Sequence, residues 1–175
     1  MKNTKVIRHS PDKNNLYYSV EKCSDIEETF QPMIKVLNEN TADIPKKIIY
    51  CRSLKDCGEI YSLFDSPRVG MYHSRTPEKI KEQVLRSFME EDGKCHVVLA
   101  TSALGMGVNI QDVRKIIHYG VPHYLESYVQ EVGRGGRDGK PCEAMLYYRP
   151  FHLAHCDEHM HSFVKNTEKN VGEKS

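Results

Sequence analysis

Nothing in this 175-residue chain reads G-x-x-x-x-G-K-[S/T], and no run reads D-E-x-H. The first absence removes the glycine-rich loop that cradles nucleotide phosphates, and the second removes the carboxylates that hold magnesium beside them. By itself the chain therefore carries no complete phosphoryl-transfer site of that type. No apolar run approaches membrane-spanning length,, and the first ten residues, MKNTKVIRHS, lack the apolar core of a secretory signal,. Close C-x-x-C pairs are missing as well. The six cysteines, at positions 23, 51, 57, 95, 142 and 156, are spread as reduced thiols of a cytosolic or nuclear protein would be. Net charge is nearly absent, with 25 basic and 24 acidic residues giving +1. Any contact with nucleic acid must then come from local placement of charge.

What is present is one core's worth of apolar residues, 39% of the sequence, in a length that suits a single domain. Short β-branched runs alternate with longer amphipathic segments, the pattern of α/β architecture. Strands are expected at Asn15–Val20, Lys47–Cys51, Val69–Tyr72, His96–Thr101, Lys115–Tyr119 and Ala144–Tyr148. Helices are expected at Ile26–Asn38, Leu54–Phe64 and Tyr124–Val132, and from Thr76, as N-cap, with Pro77 in the first turn, to about Met89,. In that last helix Ile80, Val84 and Phe88 recur at the spacing of one buried stripe,. Residues 1–14 and 166–175 are polar and expected to fray, leaving 15–165 as the domain,.

The most informative stretch is YVQEVGRGGRDGK, Tyr128 to Lys140, which sets Arg134 and Arg137 in a glycine-rich turn directly after a helix. Each guanidinium offers a fork of donors suited to phosphate oxygens, and both can reach one polyanion. Some thirty residues earlier stands LATSALGMGVNIQDVRKIIHYGVP, Leu99 to Pro122. Together these segments resemble motifs V and VI of superfamily 2 helicases, and of the RecQ family in particular. KKIIYCRS, Lys46 to Ser53, is similar to motif IV of that family, and VGMYHSRT, Val69 to Thr76, to the stretch that follows it. The resemblance runs from about Leu16 to Tyr148, with four motifs in order.

The resemblance implies a RecA-like domain, a mainly parallel sheet with helices on both faces, serving as the second motor lobe of an ATP-dependent 3′ to 5′ DNA helicase in repair or recombination. It implies ATP and Mg²⁺ in the complete two-lobed enzyme, with none bound stably by this chain alone. Its partners would be single-stranded or partly duplex DNA, and an N-terminal RecA-like lobe in cis or a protein supplying that lobe in trans. The expected setting is the nucleus, or the cytoplasm of a prokaryote, with no membrane association. Arg137 would be the arginine finger, with Arg134 beside it, neutralising charge that builds on the transferred phosphoryl group. Asp138 is expected to orient one of the two. Gln130, Gly107 and Asn109 would complete the nucleotide side, although Asn109 stands where the family often has Asp. Gly135 stands where it usually has Ala.

In open α/β sheets ligands gather beyond the carboxyl ends of the strands. Ser53, His73 and Thr101 each follow a strand and are the candidates for nucleic-acid phosphates,. The run HLAHCDEHMH aligns His152, His155 or Cys156, and His159 on one face of a helix. No second ligand cluster closes a site around it, so a terminal helix is expected there and zinc is not. The chain is read as the C-terminal lobe of a larger RecQ-like helicase. The alternative is a non-enzymatic truncated homologue acting as a nucleic-acid- or protein-binding module.

Overall fold

A computed structural model describes residues 7–8, 13–39, 43–101 and 109–172. In chain order its elements are β1 (Ile7–Arg8), β2 (Leu16–Lys22), α1 (Ile26–Asn38), β3 (Lys46–Cys51), α2 (Leu54–Phe64), β4 (Val69–Tyr72), α3 (Glu78–Met89), β5 (Val97–Ala100), β6 (Val113–Tyr119), α4 (Leu125–Val132), β7 (Cys142–Tyr148), α5 (Pro150–Leu153) and α6 (Glu158–Gly172). They fall into two compact units, the first drawn from Met1–Cys23 and Asn109–Ser175, the second from Ser24–Val108.

In the second unit β5 lies between β3 and β4 and is parallel to both, with Val97 opposite Lys47 on one side and Val69 on the other. All four β5 side chains are buried, as in a central parallel strand covered on both faces. The helices α2 and α3 pack on these strands, and α1 packs on α2, with the Phe30 and Phe64 rings edge to face at 5.9 Å. Helix α1 begins where its sequence says it should, because the Asp25 carboxylate accepts from the Glu28 amide at 2.7 Å,.

Helix α3 departs from expectation at two points. Its N-cap is Pro77, and Thr76 instead turns back so that its Oγ1 accepts from the His73 amide at 3.1 Å. The anticipated buried stripe also narrows: Phe88 is buried, but Ile80 is 44% exposed. A Cβ on Gly70 of β4 would lie 2.6 Å from Val84 Cγ1, so the helix rests its middle on the bare backbone of that glycine.

In the first unit β7 is parallel to β2 on one side and to β6 on the other, with Leu16 opposite Cys142 and Lys115 opposite Glu143. The short β1 pairs antiparallel with β2, so part of the N-terminal segment expected to fray is ordered. Helix α6 packs on β1 and β2 and touches α4. Phe163 of α6 meets the rings of Tyr18 and Tyr128 at 5.8 and 5.2 Å. The tail expected to fray after residue 165 continues as helix: Thr167 is buried, and Glu168 accepts the Tyr148 hydroxyl proton. Two helices replace the expected single terminal one, since the chain turns between Leu153 and Glu158. His152 and His159 therefore sit on different helices, and His152 is occupied locally, its Nδ1 accepting from the Arg149 amide at 3.0 Å. The architecture is an α/β RecA-like fold, a mainly parallel sheet flanked by helices.

Candidate nucleotide and nucleic-acid site

The arginine turn begins where α4 stops. Gly133 caps that helix with its amide on Val129 O at 2.9 Å, and Arg134 and Gly135 follow with amides on Glu131 O and Val132 O. The chain then leaves helical geometry at Gly136, whose φ is +62°, in the left-handed region that a side chain disfavours. From there it is bonded outward. The Gly136 amide donates to Val113 O at 3.0 Å and the Asp138 amide to Gln111 O at 3.1 Å.

Side chains from distant sequence frame the same turn. Lys13 Nζ donates to Gly133 O at 2.6 Å, across the end of α4, where a cation is favoured by the helix dipole. Asn15 Nδ2 donates to Gly136 O at 2.7 Å and to Lys140 O at 2.8 Å. Arg114 donates from Nη1 to Pro141 O at 3.0 Å and from Nη2 to the Asp138 carboxylate. That bond to Arg114, ahead of the Lys140 amide, holds the Asp138 carboxyl below the usual carboxylate range. Asp138 thus fixes Arg114, and not one of the two turn arginines as expected. It gives the turn a rigid frame and leaves Arg137 to a different partner.

That partner is Asn109. Arg137 Nη1 donates to Asn109 Oδ1 at 3.0 Å, so two residues expected on the nucleotide side are brought together. Arg137 is exposed, Arg134 half-buried and Gln130 exposed on α4, four residues before Arg134. Burial first, then the charge of Arg137, keeps the Lys13 ammonium below the ordinary lysine value. The turn is therefore a local concentration of positive charge on a chain with almost none overall. Helix α4 is anchored beneath it by a 2.6 Å contact between Glu131 Oε2 and Nε2 of the buried His118 on β6.

Gly135, the departure from the family pattern, is filled from the side. A Cβ there would lie 2.4 Å from Cys142 Sγ and 3.1 Å from Ile116 Cγ1. In this chain the thiol takes the space where the family's alanine would put its methyl.

In the second unit the three candidate phosphate contacts share one edge, because β3, β4 and β5 are parallel and Ser53, His73 and Thr101 each follow a carboxyl end. Ser53 is exposed and caps α2, its Oγ accepting from the Asp56 amide at 3.1 Å; its hydroxyl proton stays available to an acceptor. His73 is half-buried and accepts the Arg75 amide on Nδ1 at 3.1 Å, which leaves the proton of a neutral ring on Nε2. Thr101 is half-buried at the end of β5. Gly107, expected on the nucleotide side, lies outside the described residues. Among the described residues, no group of three or more His, Cys, Asp or Glu side chains is arranged to hold a metal ion.

Lys13, Asn15 and Arg114 were not singled out in the sequence. Nothing local marks them, since their partners in the turn lie 120, 121 to 125, and 24 to 27 residues away.

Known proteins resemble the chain along most of its length. It is 36% identical over 142 residues to an ATP-dependent DNA helicase RecQ of Haemophilus influenzae, covering 79% of this chain and 22% of that protein. It is 35% identical over 152 residues to a putative ATP-dependent RNA helicase of Acanthamoeba polyphaga mimivirus, covering 85% of this chain and 26% of that one. The chain thus spans about a quarter or less of the curated relatives it matches. In fold it is similar to the S. cerevisiae Dbp5 solved in complex with Gle1, with a TM-score of 0.66 at 18% identity over 92% of this chain and 41% of that one. The model of the helicase conserved C-terminal domain matches residues 28–139, taking in the strand edge and the arginine turn alike, and the chain belongs to that family as a superfamily 2 helicase C-terminal domain related to RecQ-like helicases.

Proposed function

We propose that the chain works as the second motor lobe of an ATP-dependent DNA helicase of RecQ type, supplying the arginine finger and part of the single-stranded DNA track to a P-loop lobe joined in cis or in trans. The observation that carries this is the arginine turn itself: an exposed guanidinium bonded to Asn109, on a backbone tied at Gly133, Gly136, Lys140 and Pro141. A preset cation of this kind stabilises charge that develops on a transferred phosphoryl group with little reorganisation. The donors present suit the outer phosphates of ATP. Magnesium and the remaining phosphates would be held by the other lobe. Ser53, His73 and Thr101 then offer sequence-independent contacts to a nucleic-acid backbone. DNA as the strand taken is part of the proposal, and rests on the motif pattern.

The test is steady-state ATP turnover of the two-lobed protein with and without single-stranded DNA. Arg137→Ala should lower kcat by on the order of 10³-fold or more with little change in nucleotide affinity. Arg137→Lys should rescue poorly, since one ammonium cannot reproduce the fork. The chain alone should hydrolyse ATP only at background. Near-normal kcat in Arg137→Ala, with loss in Arg134→Ala, would move the finger to Arg134; no effect from either would end the proposal.

A further inference from the structure

We infer that Asn15 is a positioning residue for the arginine finger, holding the backbone on both sides of Arg137 so that its guanidinium is presented in one orientation. This rests on the role given to Arg137 above. Both protons of the Asn15 amide are used, on Gly136 O and Lys140 O, and Arg137 lies between those two carbonyls in the chain. The backbone O of Asn15 itself accepts from the Cys142 amide at 2.9 Å, so one residue ties the turn at two carbonyls and the start of β7 at a third point.

The fit is reciprocal. A Cβ on Gly136 would fall 2.5 Å from Asn15 Nδ2, and that glycine has a φ of +62°, which a side chain disfavours,. Only a side chain with two donors on one nitrogen, set close to its own backbone, meets both carbonyls from this position. Aspartate has almost the same shape and reverses the chemistry, placing lone pairs against two carbonyl oxygens. Asn15 makes no claim on the nucleotide; its effect would pass entirely through Arg137, which separates it from the residues of the site itself.

The experiment is a double-mutant cycle in the two-lobed protein, read by kcat and KM for ATP, together with amide exchange at Gly136, Asp138 and Gly139. Asn15→Asp and Asn15→Ala should speed exchange at these amides and lower kcat by about 10- to 100-fold, the cost of a misplaced catalytic group, while KM stays nearly constant. In the Arg137→Ala background the same changes should cost nothing further, whereas a general loss of fold would add its cost in both backgrounds. Asn15→Ser, which keeps one donor, should fall between, and serves if the other variants do not give a native melting transition. Unchanged exchange and kcat in the Asn15 variants, with Arg137→Ala still inactive, would overturn this inference and leave the finger in place. Additive losses in the cycle would also overturn it. Full kcat in Arg137→Ala would remove the finger, and the positioning role with it.

Discussion

At Gly135 the thiol of Cys142 lies where a Cβ would go, so the glycine here is a packing requirement and more than a matter of flexibility. Gly135→Ala should therefore overpack the turn and cost about 1–3 kcal/mol in urea denaturation. Adding Cys142→Ala should return much of that loss, and strictly additive effects would refute the packing account. The residue scale also shows what could and could not be read from sequence. The turn after α4 that carries Arg134 and Arg137 was legible because its arginines and glycines are adjacent in the chain. The bond between Asn109 and Arg137, 28 residues apart, was not. The partner of Asp138 was misread because Arg114 looks, in sequence, like one more surface cation between Asp112 and Lys115.

Elements were more legible than contacts. The bounds of α1, α2 and β4 follow directly from local signals: Asp25 and Ser53 cap their helices with side-chain oxygens, and β4 is a short apolar run set off by a proline before it and polar residues after it. What failed were features decided by packing. Ile80 looked buried by its spacing, yet it is 44% exposed in the first turn of α3, while Val84, one turn later on the same face, rests on Gly70. Helix α6 outlasts its apolar pattern because Tyr148 and Glu168 meet across it. Capping also allows a test at this scale. Ser53→Ala should destabilise α2 by about 1 kcal/mol, whereas Ser53→Asp keeps an acceptor for the Asp56 amide and should preserve the melting temperature. If Ser53 also meets nucleic-acid phosphate, Ser53→Asp should nonetheless weaken single-stranded DNA binding by the two-lobed protein, measured by fluorescence anisotropy. Equal affinity in that variant would confine Ser53 to its cap.

For the whole molecule, two buried thiols contribute to an alkaline limit, beside Cys51 and Tyr147, whose values in the folded chain are raised as well. Burial pushes Cys95 and Cys142 from the ordinary thiol value of 9.0 up to about 11. A raised folded-state value means that stability is present in full below pH 9.0 and is lost as pH climbs through about 11, because the unfolded chain ionises first. Each thiol can account for at most about 2.7 kcal/mol over that window. Melting temperature should fall between pH 9 and 11, and the fall should be shallower in Cys95→Ala and Cys142→Ala. A drop of the same size in both variants would place its cause elsewhere.

The first unit is discontinuous, with the residues 24–108 inserted between its two parts, and this orders events in time. During synthesis the second unit's strands β3, β4 and β5 are all available before any residue of the arginine turn has been made. Lys13 and Asn15 must wait more than a hundred residues for their partners, and closing a loop of that length costs about 4 kcal/mol in chain entropy. The nascent chain consequently has no ordered arginine turn until Cys142 has left the ribosome. Because that loop must close in refolding too, pulse-labelled exchange should find the amides of Val97 to Ala100 protected before those of Gly136 and Gly139, so that the segment bearing Arg137 is among the last to form.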